Sequence, residues 1–287
     1  MSDIKKVFII MGPTASGKSA LGCVFAHALN TGIINADSMQ IYRDLPILTA
    51  SPTDDEKKEV PHYLYNFVDE KTIFDVNQWL KLVSEQIKQV DFPVLVGGTG
   101  LYLSSLINGI AEIPDVDPVV RENVRQMTLE EVAEQVQDCP FTDPQRMRRA
   151  LEVQLSTGKT LAFFQAQPKR KFVQDVEFKT IFINPSRPLL HQRIEKRFYQ
   201  MKKNGMVDEV EALLKLNPTG SVLKAIGVYE IQSFLNGKIT ENQMVNKIIT
   251  ATRQYAKRQI TWFKHQIQAD IVLTDVKEFR FSDLTKG

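Results

Sequence analysis

Val7-Phe8-Ile9-Ile10-Met11, followed by Gly12-Pro13-Thr14-Ala15-Ser16-Gly17-Lys18-Ser19, is the stretch on which the fold turns. The first five residues are apolar and rich in β-favouring types, which reads as a parallel strand buried on both faces. The next eight fit GxxxxGK[ST], and a helical pattern follows over 18–29, stopping near Asn30 and Gly32. In that setting the glycines let the backbone curl until its amide protons point inward, and the helix N-terminus adds positive potential. Lys18 supplies a point cation, and the Ser19 hydroxyl can ligate a phosphate-bound magnesium ion. Gly12, Pro13, Thr14, Ala15, Ser16, Gly17, Lys18 and Ser19 are therefore the candidate site for a diphosphate or triphosphate.

Residues 32–35 read as a second strand with Asp37 and Ser38 just past its carboxyl end. Val76, Trp79, Leu80, Val83 and Ile87 repeat at helical spacing over 76–90. A further buried strand covers 93–98, with a helix opening at Thr99. A strand at 178–184 returns to the sheet, then helices are expected over 188–216, 221–235 and 240–266, and a last strand over 270–273. Strand–helix alternation of this kind argues for an α/β fold with a parallel sheet flanked by helices. Ligands in such sheets sit beyond the carboxyl ends of the strands, which is where 12–19, 37–40 and 97–102 all fall. The character changes after Ile113, where a punctuated linker leads into a polar helical stretch. The expected organisation is a first core part over 1–112, a short helical insertion over 113–142, and core completion with basic helices over 143–287.

Bulk properties set looser bounds. The chain of 287 residues is 43% hydrophobic and 24% charged, as an ordinary globular protein would be. A net charge of +2 says little about local surfaces. Cys23 and Cys139 are the only cysteines and have no zinc-type spacing, so a reducing cytoplasm is the simplest compartment. No segment has the length of a membrane span, and residues 1–11 lack a signal peptide's cleavage region.

An ATPase would be expected to end a strand in aspartate beside this loop, but residues 94–98 end in glycines. That favours a transferase that holds a phosphate group as anchor or leaving group. Asp37 reads equally well as a functional carboxylate, ligating magnesium or accepting a proton, and as the cap of the next turn. The glycines at 97, 98 and 100 either admit substrate to the backbone or allow tight strand–helix packing. Basic residues cluster at Arg146, Arg148 and Arg149, at 169–171, and along 242–269, where Arg253, Lys257 and Arg258 are interleaved with Tyr255 and Trp262. Phosphate-backbone contact and a merely solvated helix face both account for one such cluster; three beside a phosphate site favour nucleic acid. Arg193 and Arg197 share a helix face and either reach the phosphate site or pair with Glu195.

Taken with residues 37–43, 96–102, 117–121, 143–152, 157–159, 191–198, 225–229 and 252–263, the phosphate loop resembles the tRNA dimethylallyltransferase (IPP transferase) family over most of the chain. The resemblance implies a P-loop NTPase-like core that prenylates an adenosine beside the anticodon, with magnesium as cofactor. Dimethylallyl diphosphate and the tRNA anticodon arm would be its partners, acting on a monomer. It implies Asp37 as general base, with Thr99 and Arg193 steadying the departing diphosphate. Contact with tRNA is implied for Asp37, Ser38, Met39, Gln40, Thr99, Arg121, Pro144, Gln145, Arg146, Met147 and Arg148. Lys224, Ala225, Ile226, Gly227, Val228 and Tyr229 join them, with Arg253, Lys257 and Arg258 on the last helix. Two stretches depart from the family pattern: the insertion before Asp143 is short, and residues 45–49 lack the usual glycine. Free adenine-nucleotide prenyl transfer, a small-molecule kinase and a non-catalytic RNA-binding module are the competing readings.

Overall fold

The computed structural model describes residues 4–282; the opening Met1-Ser2-Asp3 lies outside the described residues. In chain order the elements begin with β1 (Lys5–Met11), α1 (Lys18–Leu29) and β2 (Ile33–Asn35). Then come α2 (Pro46–Thr49), α3 (Asp54–Glu59), β3 (His62–Tyr63), α4 (Val76–Gln89), β4 (Val94–Gly97) and α5 (Gly100–Asn108). Four helices follow: α6 (Pro118–Gln126), α7 (Leu129–Gln135), α8 (Pro144–Thr157) and α9 (Leu161–Gln165). The chain ends with β5 (Val176–Ile183), α10 (Arg187–Lys203), α11 (Met206–Lys215), α12 (Val228–Leu235), α13 (Glu241–Gln266) and β6 (Ile271–Leu273).

All strand pairs are parallel, in the order β3-β2-β4-β1-β5-β6. The central place of β1 explains its composition, because Val7, Ile9, Ile10 and Met11 have no exposed surface. Burying each such side chain is worth roughly 1.5–3 kcal/mol. Both faces of the sheet are covered: Phe8, Ile10, Leu21, Phe25 and Val96 pack on one side. Among the described residues no helix is long and apolar enough to cross a membrane.

The sequence reading needs three corrections. The helix expected over 188–216 breaks at Gly205, whose φ of 94° is left-handed and starts α11 afresh. The one expected over 221–235 is a 3₁₀ turn, Ser221–Lys224, followed by α12. The inserted unit is Leu106–Phe172 and not 113–142. Its boundary moves because α8 belongs to it: Leu151 packs with Val124 of α6 and Val132 of α7, while Ala150 and Val153 pack with Val116 and Leu161. Paired backbone bonds between Ile110 and Arg170 close this unit at its base. The short α2, α3 and edge strand β3 carry too few residues to show a period, and the sequence reading passed over them.

Candidate active site

The phosphate loop leaves β1 and enters α1 with no side-chain cap; Gly17, the residue before the helix, is left-handed at φ 98°. A helix start that is not capped from within keeps its donors for a ligand. Among the described residues no partner is seen for the amides of Ala15, Gly17, Lys18 and Ser19, whereas the Ser16 amide closes a turn on Pro13. The Ser16 hydroxyl is fully buried and has no partner among the described residues. Buried hydroxyls are normally satisfied, so this one marks a place a polar ligand completes. Lys18 is buried, and its ammonium lies 3.3 Å from the Pro13 carbonyl. Burial holds its pKa down at about 8, with Asp37 pushing the other way and Arg197 adding to the drop. Ser19 stays exposed at the helix start. No cluster of three or more His, Cys, Asp or Glu exists among the described residues. One serine hydroxyl beside a phosphate cradle suits magnesium, which keeps mostly phosphate and water oxygens around it.

Asp37 lies past the end of β2 and fills the capping role read from the sequence. Its Oδ1 accepts the Met39 amide at 3.0 Å, capping the turn. Among the described residues its Oδ2 has no hydrogen-bond partner, and it borders Gly98. The turn is braced from several sides. Asn35 accepts the Asp37 amide and donates to the Asp37 carbonyl, while Trp79 of α4 donates to the Asn35 carbonyl. The Thr99 hydroxyl accepts the Ser38 amide at 2.8 Å and lies 3.2 Å from the Ser38 hydroxyl. Gln40 holds the carbonyls of Thr49 and Ala50 at the end of α2.

Arg193 and Arg197 both point inward, and Glu195 pairs instead with Arg253. Arg193 donates to the Ser16 carbonyl at 3.1 Å and to Asp275 at 2.7 Å, so it ties the phosphate loop to the turn after β6. Arg197 donates to the Thr49 carbonyl and feels the charge of Asp37, which lifts a guanidinium pKa that burial lowers. Tyr65, Tyr102 and Tyr255 feel the charge of the same carboxylate. Burial is the main cause of their raised pKa values and Asp37 adds to each, so all three phenols stay protonated.

Gln259 is the buried polar residue that the sequence reading missed. Its Oε1 accepts the Thr14 amide at 2.9 Å and its Nε2 donates to the Gly98 carbonyl at 2.8 Å. Thr14 can therefore serve a diphosphate only through its hydroxyl. A signal was available, since Gln259 occupies the apolar face of α13 that also buries Ile249, Ala256 and Phe263 in register. The glycines after β4 are explained by the same helix. A Cβ on Gly98 would meet Gln259 at 2.4 Å, and one on Gly100 would meet the Trp262 ring at 2.2 Å. Tight packing is thus what these glycines serve.

The expected tRNA contacts divide by exposure. Lys224 and Tyr229 are exposed, whereas Ala225 and Val228 are core residues, with Ile226 packed against the same cluster. Arg253 and Lys257 join Arg187, His191 and Lys264 along a groove of about 940 Å³ between α10 and α13. Arg258 lies outside it, over the Tyr255 ring. Within the inserted unit, Pro144, Gln145 and Arg146 are exposed at the start of α8, and Arg121 lies 4.0 Å from Glu152. Met147 packs inward, and Arg148 is engaged at the end of α6 by the carbonyls of Val124, Arg125 and Met127.

A family model described as IPP transferase matches residues 40–266. A tRNA dimethylallyltransferase of Rickettsia bellii is 42% identical, over 98% of this chain and 95% of its own. Among solved structures, a tRNA delta(2)-isopentenylpyrophosphate transferase from Staphylococcus epidermidis superposes with a TM-score of 0.69 at 28% identity, covering 98% and 97% of the two chains. A eukaryotic dimethylallyltransferase acting on tRNA gives a TM-score of 0.77 at 25% identity, over 96% of this chain and 75% of that one.

Proposed function

This chain belongs to the IPP transferase family, and from that premise we propose that it transfers a dimethylallyl group from dimethylallyl diphosphate to tRNA. The acceptor is the exocyclic amine of the adenosine 3′ to the anticodon. One observation carries the chemistry: the unpaired Oδ2 of Asp37 lies in the same buried, cationic site as an uncapped phosphate loop.

The diphosphate sits on the amides of Ala15, Gly17, Lys18 and Ser19, with the Ser16 and Thr14 hydroxyls at its edge and the Lys18 ammonium against it. Ser19 would help hold a magnesium ion at the diphosphate, which would supply further charge neutralisation to the leaving group. The adenine must leave the anticodon stack before its amine reaches the allylic carbon. The amine lone pair then forms the C–N bond as the C–O bond to diphosphate breaks. Asp37 Oδ2 takes the proton that the nitrogen sheds. Lys18, with Arg197 near the carboxylate, places fixed positive charge where negative charge grows, and Arg193 holds the loop that carries it. Thr99 acts by fixing the Asp37–Ser38 turn. Arg146, Lys224 and the Arg253–Lys257 side of α13 face the RNA backbone.

The test is mass spectrometry of nucleosides from tRNA incubated with protein and dimethylallyl diphosphate. A prenylated adenosine that disappears in Asp37→Asn is expected. No product from a tRNA with consecutive adenosines 3′ to its anticodon would overturn the assignment, and prenylated AMP in its place would support the free-nucleotide reading.

A further inference from the structure

We propose that Gln259 is a positioning residue that sets the geometry of the phosphate loop from helix α13, an inference that rests on the site reading above. Its side chain is only 6% exposed. A buried amide costs stability unless both of its ends are bonded, and a Leu or Met would fill the same space without that cost. Both ends of Gln259 are used, and both reach loops of the site. The acceptor end holds the first amide after Pro13, at the mouth of β1; the donor end holds the last carbonyl before Thr99, at the mouth of β4. The Gly98 position also borders Asp37 Oδ2. One side chain therefore fixes the distance between the loop that takes the diphosphate and the strand end beside the base.

The arrangement also decides which amides the anion receives. With Thr14 N–H committed to Gln259, the loop turns its free amides, those of Ala15, Gly17, Lys18 and Ser19, toward the ligand. Released from Gln259, the loop would keep its sequence and lose this aim.

Gln259→Leu and Gln259→Glu, compared with wild type from pH 5.5 to 8.5 on tRNA and dimethylallyl diphosphate, test the proposal. Gln259→Leu should melt as a folded protein yet raise the donor KM at least tenfold, with the tRNA KM unchanged. A protonated Glu accepts from Thr14 and donates to Gly98 as Gln does. An ionised one turns negative charge on the Gly98 carbonyl and on the diphosphate. Burial raises this carboxyl's pKa, so the ratio of Gln259→Glu to wild-type kcat/KM should climb toward one as pH falls and drop as pH rises, while the Gln259→Leu ratio stays flat. A donor KM within twofold of wild type in Gln259→Leu, or a pH-independent Gln259→Glu ratio, overturns the proposal. If Gln259→Leu does not fold, the Gln259→Glu ratio decides alone. Calorimetry with inorganic pyrophosphate separates the two readings. Wild type that binds pyrophosphate but transfers nothing defeats the transfer reading only; Gln259→Leu binding it as tightly as wild type defeats the positioning role.

Discussion

The reaction site and the inserted unit Leu106–Phe172 use polar side chains in opposite ways. Around the phosphate loop the polar groups are buried or half-buried and bonded to backbone from several elements, as with Asn35, Trp79, Thr99, Arg193 and Gln259. In the inserted unit the helices start on local caps at Asp117, Thr128 and Asp143, and two small apolar clusters hold them together. Long-range polar bracing is what a site needs when reacting atoms must stay within fractions of an ångström. A unit that only presents a surface needs its helices to form and stay docked. Mutations should therefore act on chemistry in the first region and on local stability in the second.

The largest effect is expected at Asp37. Asp37→Asn keeps the cap to Met39 and loses the proton acceptor, so kcat should fall by about 10²–10⁴ with the melting temperature held. Asp37→Ala should lose the same activity and in addition about 1 kcal/mol of stability with the cap. Single-turnover rates beside thermal melts read both. A stable, fully active Asp37→Asn would break the contrast at its root.

Next comes the pH dependence set by Lys18, whose ammonium titrates at about 8 in the free site. Diphosphate binding favours the charged form, so kcat/KM for the donor should be level below that pH and fall about tenfold per unit above it. Arg253→Ala and Lys257→Ala should leave this limb in place, and Lys18→Met should remove it along with most donor affinity. Initial rates at limiting donor from pH 6.5 to 9.5 check the limb. A level profile to pH 9.5 in wild type would show that Lys18 does not carry the charge.

In the inserted unit the expectations are about stability. Leu151→Ala empties the contact of α8 with Val124 and Val132 and should cost about 2–5 kcal/mol. Arg148→Met strips three carbonyls at the end of α6 of their donor and should cost about 1–3 kcal/mol. Both should appear in hydrogen exchange as loss of protection confined to 106–172, with donor KM unchanged. A shift in donor KM would mean that the unit shapes the donor site after all.

How much was legible follows the same division. The phosphate loop and Asp37 could be read because their chemistry is carried by residues close in sequence, at spacings the backbone imposes. The core of the sheet was visible for a similar reason, as β1 is apolar without alternation. Gln259 was not read as a site residue and Arg197 was left between two readings, because each acts on loops more than a hundred residues away and only packing brings them there. Arg148 looked like one more cation in a basic run until its guanidinium was seen to cap α6. The departure at 45–49 was visible as an oddity, but its resolution was not. Leu45 and Leu48 enter a core cluster with Val210 and Leu213, and Glu209 accepts the amides of Ile47 and Leu48 at 2.7 and 2.8 Å. A carboxylate from α11 thus caps the short helix α2 that these residues form.

The smallest effect should come from Arg146, the exposed neighbour of Arg148. Its guanidinium lies 5.5 Å from the Phe141 ring centroid, and among the described residues no salt bridge holds it. Arg146→Ala should change stability by no more than about 0.5 kcal/mol, in contrast with Arg148→Met. If it meets an RNA phosphate, tRNA affinity should weaken evenly across substrates, and the slope of log affinity against log salt should lessen by about one. Filter binding of tRNA at several salt concentrations measures that slope directly. An unchanged slope would leave Arg146 as solvated surface and confine RNA contact from the basic runs to α13 and its groove. Two arginines two residues apart, one read in kcal/mol and the other only in salt dependence, give the contrast its finest test.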